Sequence, residues 1–334
     1  MTAMNTTTPA EWFGHPKGLY VLFFTEMWER FSFYGMRALL VLYMTKYLIV
    51  NADQGMSVFG YEAIRNFVQW FVGLFGMHDQ LSVQALSSQI YGLYTGFVYF
   101  TPFFGGILAD RVFGQRKSVY IGGTLMAIGH FLMAVESMFF VALFFLILGN
   151  GCFKPNISTQ VGNLYPEGDH RRDSAFTIFY MGINLGAMLS PLVCGTLGQV
   201  VGWHWGFGAA GVGMIIGLCI YHFGKHLLPP DRIMAKAASR EAAAEQTITP
   251  TEWKAIGALV FLCMVNIVFW AVYEQQGNTL QLWADANTRW RFFGFNVPSS
   301  WYQVFNPAFI VIFAPLMDMF WNWQDKRGSE PSSV

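Results

Sequence analysis

The chain alternates long apolar runs with short polar stretches, and many of the runs exceed the ~20 residues that a helix needs to cross a bilayer. The pattern predicts eight spans: about Gly18 to Leu48, Gln84 to Ala109, Ser118 to Met138, Phe139 to Val161, Ala175 to Val200, Trp205 to Leu227, Trp253 to Trp283 and Trp301 to Trp323. Only a turn at Glu136 and Ser137 separates the third span from the fourth. Between the first two spans, Val50 to Val83 carries Asp53, Glu62, Arg65 and Asp79 around an apolar middle, Ile64 to Gly76. That middle is too short to span, so it predicts a loop with a short interfacial helix. Pro229 to Glu252 is polar, alanine-rich and charged, as a linker would be. The result is an all-α polytopic membrane protein with a six-helix bundle at 1–228, a cytoplasmic linker at 229–252 and a partial bundle of two helices at 253–334. Six spans, a basic linker and further spans is the layout of a transporter built from two six-helix halves, here with the second half only partly present.

Inside the first run, Glu26, Glu29, Arg30, Phe33 and Arg37 fall on one stripe at ~100° per residue, with Tyr34 at its border. Charges within a membrane span are costly, and they usually face a bundle interior or wet cavity on an ion or substrate path. The plainer role is a salt-bridge ladder that fastens helices. Lys and Arg alternate between loops: Lys17, then Arg111, Arg116 and Lys117, then Arg171 and Arg172, the linker, and Lys326 with Arg327 share one side. The other side has Arg65, Arg289 and Arg291, so the first side and both termini are expected in the cytoplasm. No cleavable leader pattern precedes the first span, which is expected to remain uncleaved.

Composition agrees: 54% of the 334 residues are hydrophobic and only 12% charged, with a mean hydropathy of +0.37. A formal net charge of zero gives no basis for a nucleic-acid partner. Cys152, Cys194, Cys219 and Cys263 lack CxxC spacing, and His130, His204, His222 and His226 lack ligand spacing, so neither disulfides nor a metal site is indicated. With no metal set and no GxSxG, an intramembrane enzyme is a poor reading, and no catalytic residue is assigned.

Two sets of motifs resemble known families. The Gly106-xxx-Asp110-Arg111-xx-Gly114-x-Arg116 run resembles the cytoplasmic loop motif of the major facilitator superfamily. Asp110, Arg111 and Arg116 could pair with one another and with helix ends, supporting a gate. Glu26-xx-Glu29-Arg30 with Phe33-Tyr34-Gly35, Phe153-Lys154-Pro155-Asn156, Phe179-Tyr180 with Asn184, and Trp270-xxx-Glu274-Gln275 together resemble the proton-dependent oligopeptide transporter family. Phe33 departs from the tyrosine many members carry. The resemblance implies a major-facilitator helix bundle, with the second half reduced to about two helices, that imports di- and tripeptides by symport with protons. It implies proton coupling at Glu26, Glu29 and Glu274. It also implies substrate contacts at Arg30, Tyr34, Tyr99, Lys154, Asn184, Trp270 and Glu274. The driving force would be the proton gradient, with no cofactor, in a cell membrane of the bacterial inner-membrane type.

The chemistry can be argued without the family. A dipeptide is a zwitterion, and a site that accepts many side chains must hold its constant ends. Arg30 and Lys154 in the first half and Glu274 in the second would form such a dipolar pocket between halves, with Trp270, Asn266 and Asn278 near Glu274's helical face. In the empty carrier, Lys154 or Arg30 is expected to pair with Glu29 or Glu26 until substrate displaces the carboxylate. Two other readings stay open: a relative that carries another small anion or nitrogen compound such as nitrate, and a truncated, transport-inactive fragment. An open second half would expose polar surface to lipid unless the chain associates with itself or with a missing piece.

Overall fold

The computed structural model describes residues 11–231, 249–288, 291–292 and 294–328. Most of the predicted linker (232–248) and Arg289 therefore lie outside the described residues. Seven described helices are long and apolar enough to cross a membrane: Lys17–Asp53, Val83–Phe113, Glu136–Asn163, Arg171–Val201, Trp203–Leu227, Pro250–Gly277 and Ser299–Trp321. The predicted third span is a helix too, Gln115–Leu132, but it does not reach the same apolar length because it opens on Arg116 and Lys117 and holds His130. Its place between its neighbours in the bundle keeps the predicted order, and spans are numbered one to eight below on that basis.

Span one, Lys17–Asp53, is the axis of the bundle. A helix apolar around most of its circumference is stable only when surrounded, and here spans five and six flank it most closely. Leu19, Leu22, Met36, Leu39, Leu40 and Leu42 are fully covered. Spans three and four meet through glycines. A Cβ placed on Gly122 would lie 2.6 Å from the Gly149 carbonyl oxygen, so only the bare backbone permits this approach. Span two joins span four through side-chain bonds, Asn150 Nδ2 donating to the Val98 carbonyl at 2.8 Å and Thr101 Oγ1 to that of Ile147 at 3.0 Å.

The interval between spans one and two holds the expected short helix, Tyr61–Gly73, which buries Tyr61, Val68 and Val72 on one side. One feature lies outside the hydropathy pattern. A two-stranded hairpin, Glu11–Trp12 with His15–Pro16, precedes span one. His15 Nδ1 lies 2.7 Å from the Tyr165 hydroxyl, and Arg171 bonds Glu11 and the Gly14 carbonyl. The same arginine holds the Asp169 carboxyl below the usual carboxylate range by hydrogen bonding to it.

Span seven differs from its expected extent, Trp253 to Trp283. The helix starts at Pro250 on a capping box, with Thr249 accepting from the Glu252 N–H and Glu252 reaching back. It tightens into a 3₁₀ turn at Glu274–Gly277, breaks at Asn278 (φ −125°, ψ −96°) and restarts as Thr279–Asn287. Span eight begins as a 3₁₀ turn, Ser299–Val304, before its α-helix, Phe305–Asp325. Among the described residues the apolar side chains of spans seven and eight are largely uncovered, Phe261 and Val268 each being 68% exposed.

The joint between spans two and three carries the loop motif. Gly114 adopts φ +77°, a left-handed backbone that favours glycine. The Arg116 backbone N–H donates to both carboxylate oxygens of Asp231, at 3.1 and 3.3 Å, and the Arg116 guanidinium donates to the Leu228 carbonyl. The partner of Arg116 in this arrangement is thus the segment after span six, which short-range motif spacing could not identify.

Candidate functional site

A cavity of about 420 Å³ lies where spans one, two, four, five, seven and eight converge. Glu26, Arg30 and Tyr34 reach it from span one, and Tyr99 from span two. Lys154, Asn184, Trp270 and Glu274 reach it from spans four, five and seven. Glu29 does not line it. That carboxylate sits behind Arg30 with its side chain fully covered.

The helical repeat explains the first-span cluster. Residues three and four apart share a face, so Arg30 can meet Glu26 one turn away, while Glu29 folds in from the adjacent position. Arg30 Nε lies 3.0 Å from Glu26 Oε1 and 2.5 Å from Glu29 Oε2, and its guanidinium stands 5.3 Å from the centre of the Phe33 ring. The cluster is not saturated. Glu26 Oε2, Glu29 Oε1 and Arg30 Nη2 are buried with no hydrogen-bond partner among the described residues. A guanidinium has five N–H donors, and carboxylates prefer to meet two of them in parallel.

Of the two cations expected to pair with a span-one glutamate, Arg30 takes both carboxylates and Lys154 neither. Lys154 makes no ion pair among the described residues; its ammonium instead stands 4.6 Å from the centre of the Tyr99 ring, a cation–π contact. Arg30 already engages both carboxylates of span one, which leaves Lys154 as an open charge at the cavity wall.

Span seven presents its acid at the turn before its break, Glu274–Gly277. The end of the helix places Glu274 so that Oε2 accepts from Arg37 Nη2 at 2.6 Å and Oε1 from the Tyr99 hydroxyl at 3.1 Å. Arg37 also donates from Nε to the Tyr91 hydroxyl at 2.7 Å. Arg37 thus joins the first and seventh spans at the cavity wall. Asn278 is withdrawn from the cavity and accepts from Ser88 Oγ at 2.9 Å, while Asn266 is exposed away from it. The asparagine of span five donates to its own helix, Asn184 Nδ2 to the Tyr180 carbonyl at 2.9 Å.

Span eight supplies lining that the sequence reading missed. Asn306 accepts from the Tyr273 hydroxyl at 3.2 Å, and Gln303 donates to Gln281 Oε1 at 2.7 Å. Two amides three residues apart at the start of an apolar run are the signal that could have found them. Beyond this wall, polar bonds tie the two parts of the chain. Gln199 donates to Ser299 Oγ at 2.9 Å, Ser299 donates to Asp285 at 2.6 Å, Trp301 Nε1 donates to Thr196 at 2.8 Å, and Lys46 pairs with Asp285. Among the described residues the lining holds Glu26 and Glu274 with Arg30, Arg37 and Lys154, and Glu29 behind Arg30 brings the local charge into balance. That balance suits a zwitterion better than a net anion.

Residues 116–249 and 230–333 match the POT family. A di-/tripeptide transporter of Lactococcus lactis subsp. cremoris is 33% identical, over 98% of this chain and 73% of its own length. The peptide transporter YePEPT of Yersinia enterocolitica is 32% identical, over 100% of this chain and 72% of its own. Among solved structures, a mutant of the peptide transporter POT in complex with alafosfalin superposes with a TM-score of 0.73 at 34% identity, covering 95% of this chain and 70% of that one. A POT family transporter in complex with 5-aminolevulinic acid gives a TM-score of 0.72 at 27% identity, covering 96% and 73%.

Proposed function

This chain belongs to the POT family, with the helix bundle of the major facilitator type, and from that premise we propose that it imports di- and tripeptides across the cytoplasmic membrane together with protons. The observation that carries the reading is the charge content of the 420 Å³ cavity: Arg30 from span one, Lys154 from span four and Glu274 from span seven line it together with Tyr34, Tyr99 and Trp270. The peptide carboxylate is drawn to Lys154 and to the unpartnered Nη2 of Arg30, and the ammonium to Glu274, which then loosens from Arg37. Asn184, Tyr34, Tyr99 and Trp270 shape the space between the two ends. Residues 1–228 act as one rocking half and 253 onward as part of the other, joined by the 229–252 linker. Both termini are cytoplasmic, in a membrane of the bacterial inner type, and Asp110, Arg111 and Arg116 support the gate on that side. No cofactor is required, because the proton gradient supplies the driving force.

Coupling follows from competition. When substrate takes the free face of Arg30, the guanidinium can no longer satisfy both glutamates, and the released carboxylate binds a proton before the halves move. Each pH unit across the membrane is worth about 1.4 kcal/mol per proton, a tenfold concentration ratio. Glu29→Gln keeps the shape and an acceptor for Arg30 but cannot take up that proton. Liposomes holding this variant are expected to exchange dialanine at equal pH and to lose the roughly tenfold accumulation per pH unit. Normal acid-driven accumulation by the variant would refute the scheme. Competition by dialanine, with none by nitrate, distinguishes a peptide site from one for small anions.

A further inference from the structure

The end of the bundle away from the linker carries a polar network that the transport scheme above leaves unused. Span one starts beside the end of span six, where a Cβ on Gly18 would lie 2.7 Å from the Leu227 carbonyl oxygen. Lys46 lies about 42 Å further along the axis of span one, and there it pairs with Asp285. Spans one and five face spans seven and eight at this end. Gln199 Nε2 donates to Ser299 Oγ at 2.9 Å, and its Oε1 accepts from the Ser300 N–H at 3.0 Å. Trp301 Nε1 donates to Thr196 Oγ1 at 2.8 Å. The approach is close, since a Cβ on Gly195 would lie 3.0 Å from the Ser300 Cβ.

The network does not stop at this seam. Ser299, 3% exposed, also accepts from Gln281 Nε2 at 3.4 Å and donates to Asp285 at 2.6 Å. Gln281 is fully covered and accepts from Gln303 Nε2 at 2.7 Å, and Gln303 lines the cavity. Every donor in this chain points the same way, from the cavity through Gln303, Gln281 and Ser299 to the Asp285 carboxylate. A carboxylate only accepts, so it fixes that direction. Covered links of this kind strengthen one another, and removing one leaves its neighbours unpaired. A seam of amides and hydroxyls also differs from an apolar one. Shut, its groups bond each other; open, they bond water, so each bond opposes opening by little.

Resting on the carrier reading above, we propose that this seam is the gate on the side opposite the linker, with Ser299 as its hub and Gln303 tying it to the cavity. A peptide that fills the space beside Gln303 displaces water there, which favours the bonded chain and a shut seam behind the peptide. Gln281 and Ser299 touch no substrate. They are positioning residues that act through Gln303 and across the seam.

The test uses the full chain in liposomes with dialanine outside. Gly195→Cys with Ser300→Cys sets two Cβ atoms near the separation of about 3.8 Å that a disulfide takes. Once this staple is oxidised, uptake is expected to fall roughly 10-fold or more and to return with reductant. A stapled chain that takes up dialanine at the reduced rate overturns the gate. Only molecules with an open seam bind dialanine from outside, so a looser seam lowers the half-saturation concentration. Ser299→Ala is expected to lower it about fivefold, and Ser299→Thr, which keeps the hydroxyl, to stay near the parent. Gln281→Met, at a residue that does not line the cavity, should give a similar fall, and the double variant Gln281→Met, Ser299→Ala no more than either alone. An unchanged value in Ser299→Ala overturns the hub, and one in Gln281→Met overturns the tie to the cavity. If these variants fail to fold, the staple decides. A parent chain that takes up no dialanine, reduced or oxidised, overturns the carrier reading instead.

Discussion

Replacing Arg30 by methionine is expected to destabilise the protein by about 3–5 kcal/mol, the cost of leaving a buried ion pair with one partner. The reason lies in the span-one cluster. Glu26 and Glu29 are both covered by the bundle and both bonded to this guanidinium. Without it, two carboxylates face each other with no hydrogen-bonded cation. Charge burial is tolerable only when paired, so thermal unfolding in detergent should begin well below that of the parent. The triple variant Glu26→Gln, Glu29→Gln, Arg30→Met removes the stranded charges and should recover most of the lost stability. Failure of the triple variant to recover would mean that Arg30 acts through packing on Phe33 more than through charge. An exposed pair gives the contrast: cutting Arg171 from Glu11 should leave the unfolding temperature nearly unchanged.

The second large effect is on binding. Lys154→Ala should leave the fold intact, because the ammonium makes no ion pair among the described residues and stands over the Tyr99 ring. It removes the cation with the least competition for a peptide carboxylate. Losing one partner of a desolvated charge pair costs about 2 kcal/mol or more, a roughly 30-fold rise in the Kd for dialanine. Calorimetric titration of purified protein would show it. A Kd within about twofold of wild type would place the carboxylate on Arg30 alone.

Much of this site could be read from the sequence because it repeats along one helix. Glu26, Glu29, Arg30 and Arg37 recur at helical spacing in an otherwise apolar run, and covering that helix on all sides forces the charges onto each other or into a cavity. Lys154 and Glu274 stand out through the motifs that resemble the oligopeptide transporter family, each a charge in a membrane-length segment. What pairs with them does not. The Arg37–Glu274 contact joins residues 237 positions apart, and no spacing rule connects them. The sequence leaves open whether Lys154 or Arg30 pairs with the span-one glutamates; both carboxylates share Arg30, and local geometry decides such competitions. The end of span seven was misplaced because Gln275, Gln276, Gly277 and Asn278 interrupt an apolar pattern that resumes at Leu280. Helix length alone favoured reading through them.

The account depends on peptide and proton using the same buried charges in one cycle. The most direct measurement follows both at once: liposomes carrying the protein and an internal pH dye, given dialanine from outside with membrane potential clamped. The prediction is acidification of the lumen that starts with dialanine entry and scales with it, and that disappears in Glu29→Gln. Dialanine entry with an unchanged internal pH in the wild-type protein would contradict it.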